Sequence, residues 1–253
     1  MHYRLLRLIC VVLACVVLAG CAIPAATPAA DLAATPWAQQ SSLQDGQWRH
    51  YALPGKASSQ FAYTRKDGRD AMAVTAMSSA SMVRKKVRVE PAELGSVRFS
   101  WKVPELIAQA DMALREADDS PVRIVLAFEG DRSRLSARNA ALSELALALT
   151  GEEMPYATLM YVWCNQRVPG SVIVNPRTDR IRKLVVESGR GKLNQWLDYE
   201  RNIRADYEKA FGEAPGALVG IGIMTDSDNT RSSARAWYGP VQLPLAGRGT
   251  TVR

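Results

Sequence analysis

Between Trp48 and Leu243 the chain is cut into short β-type runs, each bounded by polar, Gly or Pro residues. They are Trp48–Leu53, Phe61–Thr64, Ala71–Met77, Val83–Val89, Val97–Val103, Val122–Phe128, Thr158–Trp163, Val172–Val174, Ile181–Glu187, Leu218–Met224 and Ala234–Leu243. Many short strands broken in this way indicate an all-β antiparallel sandwich or barrel. Arg123-Ile124-Val125-Leu126-Ala127-Phe128 and Leu218-Val219-Gly220-Ile221-Gly222-Ile223-Met224 are apolar on both sides, which makes them central strands. Gly220 and Gly222 leave one face of the second bare and invite a large neighbour. The expected core holds Phe99, Trp101, Ile124, Leu126, Phe128, Leu159, Val185, Ile221 and Ile223.

Two short helices interrupt the strands. Ser136–Leu149 places Leu142, Leu145, Ala146 and Leu149 on one stripe, with Gly151 just past its end. Ile203–Phe211 has Asn202 as N-cap and Gly212 as its stop, with Ile203, Tyr207, Ala210 and Phe211 on its buried side. Residues 104–117 read as either a short helix or a long loop.

The start of the chain is of another kind. Arg4 and Arg7 precede an apolar run, Leu8 to Leu18, the layout of a secretory signal peptide over residues 1–20. The run is shorter than the roughly 20 residues a spanning helix needs. Leu18-Ala19-Gly20-Cys21 resembles the lipobox of bacterial lipoproteins, which implies that Cys21 receives lipid and becomes the first mature residue. Ala22, where an Asp would imply inner-membrane retention, implies an outer-membrane protein facing the periplasm. Residues 21–36 are rich in Ala, Pro and Thr and read as a semi-extended tether. A single domain is expected over 37–245, with a frayed tail over 246–253. The protein would meet the membrane through lipid at Cys21.

Composition narrows the chemistry. The formal charge of +7 becomes +5 without Arg4 and Arg7, which favours anionic surroundings such as lipopolysaccharide or phospholipid headgroups. The envelope address argues against nucleic acid. Cys10 and Cys15 leave with the signal, so Cys164 alone remains beside Cys21, and no internal disulfide can form. Cys164 follows Tyr161-Val162-Trp163 and reads as a buried, inert thiol. His50 is the only histidine outside the signal, which excludes a His-rich zinc site and any Ser-His-Asp arrangement that does not use it. No phosphate loop, dinucleotide fingerprint or Cys-rich metal motif is present.

Three groups of residues are site candidates. Val83–Val89 and Val97–Val103 both alternate, and only Glu90 to Ser96 separates them. As antiparallel neighbours they would merge Arg84, Lys86, Arg88, Arg98 and Lys102 into one basic face. That face would be either a solvated sheet surface or a contact for an anionic glycan or headgroup. Trp163, Trp237 and Tyr238 could stack on sugar rings or fill the core. Asp226-Ser227-Asp228-Asn229-Thr230 closes a strand. Asp226, Asp228 and Asn229, joined by Asp118 and Asp119, offer the hard oxygens calcium prefers, or cap a turn.

Several strings together resemble a known family. They are Ser100-Trp101-Lys102-Val103, Asp118-Asp119, Arg123 to Phe128, Tyr161-Val162-Trp163, Asn175 to Arg182, Asp206-Tyr207, Ala210 to Glu213, Ile223 to Thr230 and Trp237-Tyr238-Gly239. In this order, over roughly residues 48–245, they resemble the bacterial envelope family catalogued as domain of unknown function 3047. The resemblance implies one envelope domain of unassigned activity with a galactose-binding-type jelly roll. Many members carry an Asp after the Tyr-Gly pair; here Pro240 follows. The expectation is a lipid-anchored, non-enzymatic module that binds an envelope glycan or anionic partner, with no cofactor unless calcium. Two alternatives stay open. One is a polysaccharide hydrolase using acids such as Glu129, Glu187, Glu200 or Asp226. The other is an interaction subunit of an outer-membrane complex.

Overall fold

A computed structural model describes residues 32–41 and 47–244. The signal, Cys21, most of the tether and the 246–253 tail lie outside these. Among the described residues no helix is long and apolar enough to cross a membrane.

Among the described residues twelve strands form two sheets. β1 (Arg49–Ala52), β4 (Ala80–Val89), β6 (Ser120–Phe128), β7 (Ala157–Cys164), β8 (Val172–Val174), β9 (Ile181–Ser188) and β11 (Leu218–Asp226) make a seven-stranded sheet ordered β1-β4-β11-β6-β7-β9-β8. β2 (Gln60–Lys66), β3 (Arg69–Met77), β5 (Ser96–Lys102), β10 (Trp196–Asn202) and β12 (Ser233–Tyr238) make a five-stranded sheet ordered β10-β5-β12-β3-β2. The expected β-sandwich is therefore present. One pairing departs from the antiparallel rule: β7 runs parallel to β9. β8 hairpins back onto the outer edge of β9, so β9 enters beside β7 in the same direction.

Period-two alternation builds the core between the sheets. Val97, Phe99 and Trp101 face inward from β5 to meet Ile124, Leu126, Leu159, Tyr161, Ile221 and Ile223 of the larger sheet. Phe99 stacks on Tyr161 across the two layers, with ring centroids 5.5 Å apart. β6 and β11 are central, as their two-sided apolarity requires. The outer face of the larger sheet carries a second cluster of Met112, Val125, Met160, Val162, Val185 and Met224. Val185 belongs there and not between the sheets. Segment 104–119, a succession of turns, covers that outer face through Met112.

Among the described residues three α-helices are present, one more than expected. α1 (Pro36–Gln40) starts at an N-cap, Thr35, whose hydroxyl accepts from Ala38 N–H. α2 (Ala137–Thr150) is capped by Ser136 and ends at Gly151, whose φ of 73° only Gly adopts freely. α3 (Ile203–Phe211) has the expected caps, Asn202 and Gly212. The stripe of α2 is a correction. Its buried residues are Asn139 and Ser143, while Leu145, Leu147 and Leu149 are 55%, 45% and 63% exposed. Asn139 donates to Asp179 and accepts from Thr178, and Ser143 accepts from Arg132 and from Met154 N–H. These polar anchors turn Leu145 and Leu149 outward.

Candidate functional site

A cleft of about 630 Å³ lies on the outer face of the five-stranded sheet. Register makes its floor. Asp198 of β10 lies opposite Ser100 of β5, and Glu200 opposite Arg98. Arg98 in turn bridges to Gln242. Gly239 comes close to this floor, because a Cβ there would lie 2.1 Å from Ser100 Oγ. The β2–β3 hairpin supplies one wall. Asp67 and Gly68 both have positive φ, the two-residue turn that suits a tight hairpin. Its tip reaches across the sheet. Asp67 pairs with Lys102 at 2.6 Å, and Arg69 grips both oxygens of Asp198 at 2.7 and 3.1 Å.

The polar groups of the cleft are paired and aimed. Arg98 Nε is 3.0 Å from Glu200 Oε2, and Ser96 donates to the same carboxylate at 2.7 Å. Asp70 accepts from Tyr63 OH at 2.6 Å and from Gln40 Nε2 at 2.7 Å. These bonds hold the Asp70 carboxyl below its ordinary range, with Tyr63 the larger cause. Arg98, then Ser96, do the same for Glu200. Among the lining residues two arginines, Arg69 and Arg98, face three carboxylates, Asp70, Asp198 and Glu200, for a net charge of −1. Trp196, half-buried, stands beside the cleft with the Arg69 guanidinium 5.3 Å above its ring.

The five expected basic residues do not form one face. β4 and β5 belong to different sheets, because the chain crosses between layers at the turn Pro91–Glu93. The cations are also paired. Arg84 and Lys86 share Glu152, and Arg84 lies 3.7 Å above the Tyr51 ring. Arg88 takes Glu90 at 2.7 Å and Glu129 at 3.0 Å. Of the five, Arg98 lines the cleft and Lys102 ties down its hairpin wall. Trp163 and Tyr238 are core residues: Trp163 Nε1 donates to Gly189 O, and Tyr238 OH donates to Met224 O. Trp237 lies on the outer face, 8% exposed, with Lys66 and Arg235 each 4.9 Å from its ring.

The acidic strand end is a buried charge network. Carboxylate oxygens of Asp119, Asp226 and Asp228 gather within 4.8 Å of one another. N–H and O–H donors engage them all. Asp119 caps the turn by accepting from Asn229 N–H, Thr230 N–H and Thr230 Oγ1. Asp226 accepts from Arg123 at 2.8 and 2.9 Å and from Ser120 N–H at 3.0 Å. Lys56 holds Asp228, and Asn229 Nδ2 donates to Arg115 O. Asn229 thus turns its amide away from the acids, and a calcium ion would have to displace Lys56 and Arg123. Deeper in, Asp118 joins Lys183 at 2.6 Å and Arg123 at 3.1 Å. Burial pushes Asp226 up to about 6 and Lys183 down to about 8. Arg123 moves the other way: burial opposes its charge, but Asp226 and Asp118 outweigh it.

The hydrolase candidates do not converge. Glu129 pairs with Arg88, Glu187 with Lys192, Glu200 with Arg98 and Asp226 with Arg123. His50 Nε2 lies 3.0 Å from Ser81 Oγ, but Ser81 is fully buried and cannot meet a substrate.

The model of a family described as protein of unknown function (DUF3047) matches residues 46–242. The chain belongs to that family. No curated protein matches it. Among solved structures, the chain is similar to the family 11 carbohydrate-binding module of cellulosomal cellulase Lic26A-Cel5E of Clostridium thermocellum. That pair is 9% identical, covers 79% of this chain and 88% of that one, and has a TM-score of 0.38. The xyloglucanase domain of NopAA, a type three effector from Sinorhizobium fredii, is 10% identical over 81% of this chain and 95% of that one, TM-score 0.40. Trichoderma harzianum endoglucanase 3, of family GH12, is 6% identical over 81% and 99%, TM-score 0.39.

For this family member, most of the cleft was absent from the sequence expectations. Gln40, Arg69, Asp70, Asp198 and Gln242 come from segments far apart in the chain. One signal was present: Trp196, Asp198 and Glu200 alternate with Leu197 and Tyr199. That is a half-buried strand with its acids on one face.

Proposed function

We propose that this chain is a lipid-anchored envelope protein that binds a neutral, hydroxyl-rich glycan in the cleft over β5 and β10. The observation that carries the reading is the paired lining. Arg69–Asp198 and Arg98–Glu200 fix donors and acceptors on a rigid sheet, and Gln40 and Gln242 add amides. Sugar hydroxyls both donate and accept, so alternating guanidinium, carboxylate and amide groups suit them. The net charge of −1 in the lining favours a neutral ligand over an anionic polymer. Binding without turnover fits the acids: a general acid near neutral pH needs a raised carboxyl, and Asp70 and Glu200 are held low. The raised one, Asp226, is 4% exposed and bound to Arg123.

Leu18-Ala19-Gly20-Cys21 supports acylation at Cys21, and Ala22 supports the outer membrane. Radiolabelled fatty acid should enter the wild type and not Cys21→Ser. The binding reading is tested by calorimetry against neutral and acidic envelope glycans. Arg98→Ala and Asp198→Asn should each weaken neutral-glycan binding about tenfold, the effect of ~1.4 kcal/mol. Equal binding by wild type and variants, or no binding to any neutral glycan, overturns it.

A further inference from the structure

We infer that Trp237 is the floor of a second sugar subsite beside the cleft, one that takes a uronic acid, a sugar ring bearing a carboxylate. The inference rests on the proposed function for the neighbouring cleft and extends it: the glycan carries an acidic sugar next to its neutral ones.

Register places the subsite. Trp237 of β12 lies opposite Lys102 of β5 and Ala73 of β3, and Ala73 lies opposite Ala62 of β2. Directly opposite residues share a face, so the four stand in one row across the outer face of the five-stranded sheet. Ser100 and Gly239, each two residues along from Lys102 and Trp237, line the cleft. The row is therefore about 6.6 Å from the cleft floor, two residues at ~3.3 Å each. A glycan in the cleft reaches it with its next sugar. Beyond Trp237 the row continues in two methyl groups, with Ala73 half-buried and Ala62 exposed. They leave a low shelf against the indole.

Charge names the ligand. Lys66 Nζ and the Arg235 guanidinium lie over the Trp237 ring, each 4.9 Å from its centroid. Lys102, the register partner of Trp237, completes a set of three cations. One carboxylate answers them: Asp67 pairs with Lys102 at 2.6 Å and with Lys66 at 3.6 Å. Three cations against one carboxylate leave +2, opposite in sign to the −1 of the cleft lining. Arg235 is exposed and has no ion pair among the described residues. The bond from Lys102 holds the Asp67 carboxyl below its ordinary range, so it stays ionised. Asp67 is thus an internal stand-in for a ligand carboxylate. Its side chain is 44% exposed, so it turns into solvent and yields Lys102 without moving the hairpin. A uronic acid meets both features of the site. Its ring lays C–H groups on the electron-rich indole face, where two cations now sit, and its carboxylate reaches Lys102 and Arg235.

The test is calorimetry on the full chain with neutral tetrasaccharides of glucose, galactose and mannose, each paired with the same tetrasaccharide ending in the corresponding uronic acid. In at least one pair the acidic member should bind about tenfold tighter at ~0.05 M salt, the sum of a few exposed charge contacts. That advantage should fall to about twofold at ~1 M salt, where charges are screened beyond about 3 Å. Arg235→Gln should cut it to about threefold at low salt. Trp237→Leu should remove it without changing any charge, which a general attraction for acidic sugars would not do. Asp67→Asn, a residue suited to the positive φ there, should raise it. In the wild type the indole N–H signal of Trp237 should shift with the acidic member and not with the neutral one, a readout that needs no variant to fold. An acidic member that binds no tighter than its neutral twin, or an advantage that survives in folded Trp237→Leu, overturns the inference; neutral binding in the same experiment leaves the cleft reading standing. Acidic binding that shifts Trp237, with no neutral binding, overturns the cleft reading and supports the subsite. No binding in any pair overturns both.

Discussion

Replacing Asp118 by Asn should destabilise the protein by about 3–4 kcal/mol at pH 7, in two parts. Arg123 and Lys183 are buried against Asp118 and Asp226, with the buried Asp119 close to Asp226. Asp118 accepts from Lys183 at 2.6 Å, from Asn175 at 2.9 Å and from Arg123 at 3.1 Å. The variant removes the carboxylate that Lys183 and Arg123 share. Burial, then Arg123, already hold Lys183 down at about 8, and Asp118 works against them. Without Asp118 the lysine moves further down, toward its neutral form at pH 7. Full loss of the charged form at pH 7, one unit below the folded value of about 8, costs about 1.4 kcal/mol. Loss of the charged hydrogen bonds adds about 1.5–3 kcal/mol.

The sign of the pH effect follows from linkage. The unfolded lysine titrates at its ordinary 10.5 and the folded one at about 8, so the unfolded chain holds more protons between those values. Stability from this group therefore rises with pH across that window. At pH 9 Lys183 is neutral in wild type and variant alike, so the first part of the loss should vanish and the difference shrink by about 1.4 kcal/mol. The double variant Asp118→Asn/Lys183→Met removes the buried lysine together with its partner, leaves Arg123 paired with Asp226, and adds a methionine beside Met112, Met160 and Met224. It should recover about 2 kcal/mol relative to the single variant. Urea unfolding followed by tryptophan fluorescence at pH 7 and 9 measures all three. A loss under about 1 kcal/mol, the worth of an exposed pair, refutes the account. So does a double variant no more stable than the single.

Gly216→Ala should lower stability by about 2 kcal/mol or more, since its Cβ would lie 2.2 Å from the backbone Glu129 O. Gly239→Ala should cost less, because the group it meets is the rotatable Ser100 hydroxyl; thermal unfolding that ranks the two the other way contradicts this. The Asp226 carboxyl should titrate near 6 by carbon NMR. The folded chain then binds more protons than the unfolded one between 3.8 and about 6, so Asp226 should make stability fall as pH rises through that window. A midpoint at or below 3.8 would mean that Arg123 outweighs burial.

Local signals were legible where a residue's neighbours in sequence decide its role. α3 follows its caps, and β6 and β11 are central because both their faces are apolar. β10 escaped notice because Asp198 and Glu200 interrupt its apolar residues, although they mark an exposed sheet face. The stripe of α2 misled because Asn139 and Ser143 find partners at Asp179, Thr178 and Arg132, contacts that helical periodicity cannot show. The merged basic face failed because β4 and β5, adjacent in sequence, part into different layers. The charge network was hidden for a related reason. Arg123 and Lys183 sit in strands that read as apolar, and Arg123 meets Asp226 from 103 residues away. The cleft likewise needs the β2–β3 hairpin to reach Asp198 across 129 residues.

The central claim is that a neutral glycan occupies the cleft over β5 and β10. The most direct measurement is an amide shift titration of the chain with neutral oligosaccharides and, separately, with an acidic polymer. The account predicts saturable shifts at Arg98, Ser100, Asp198, Gly239 and Gln242 with a neutral oligosaccharide, and none at Arg84 or Lys86. Shifts confined to Arg84, Lys86 and Arg88, or seen only with the acidic polymer, would contradict it.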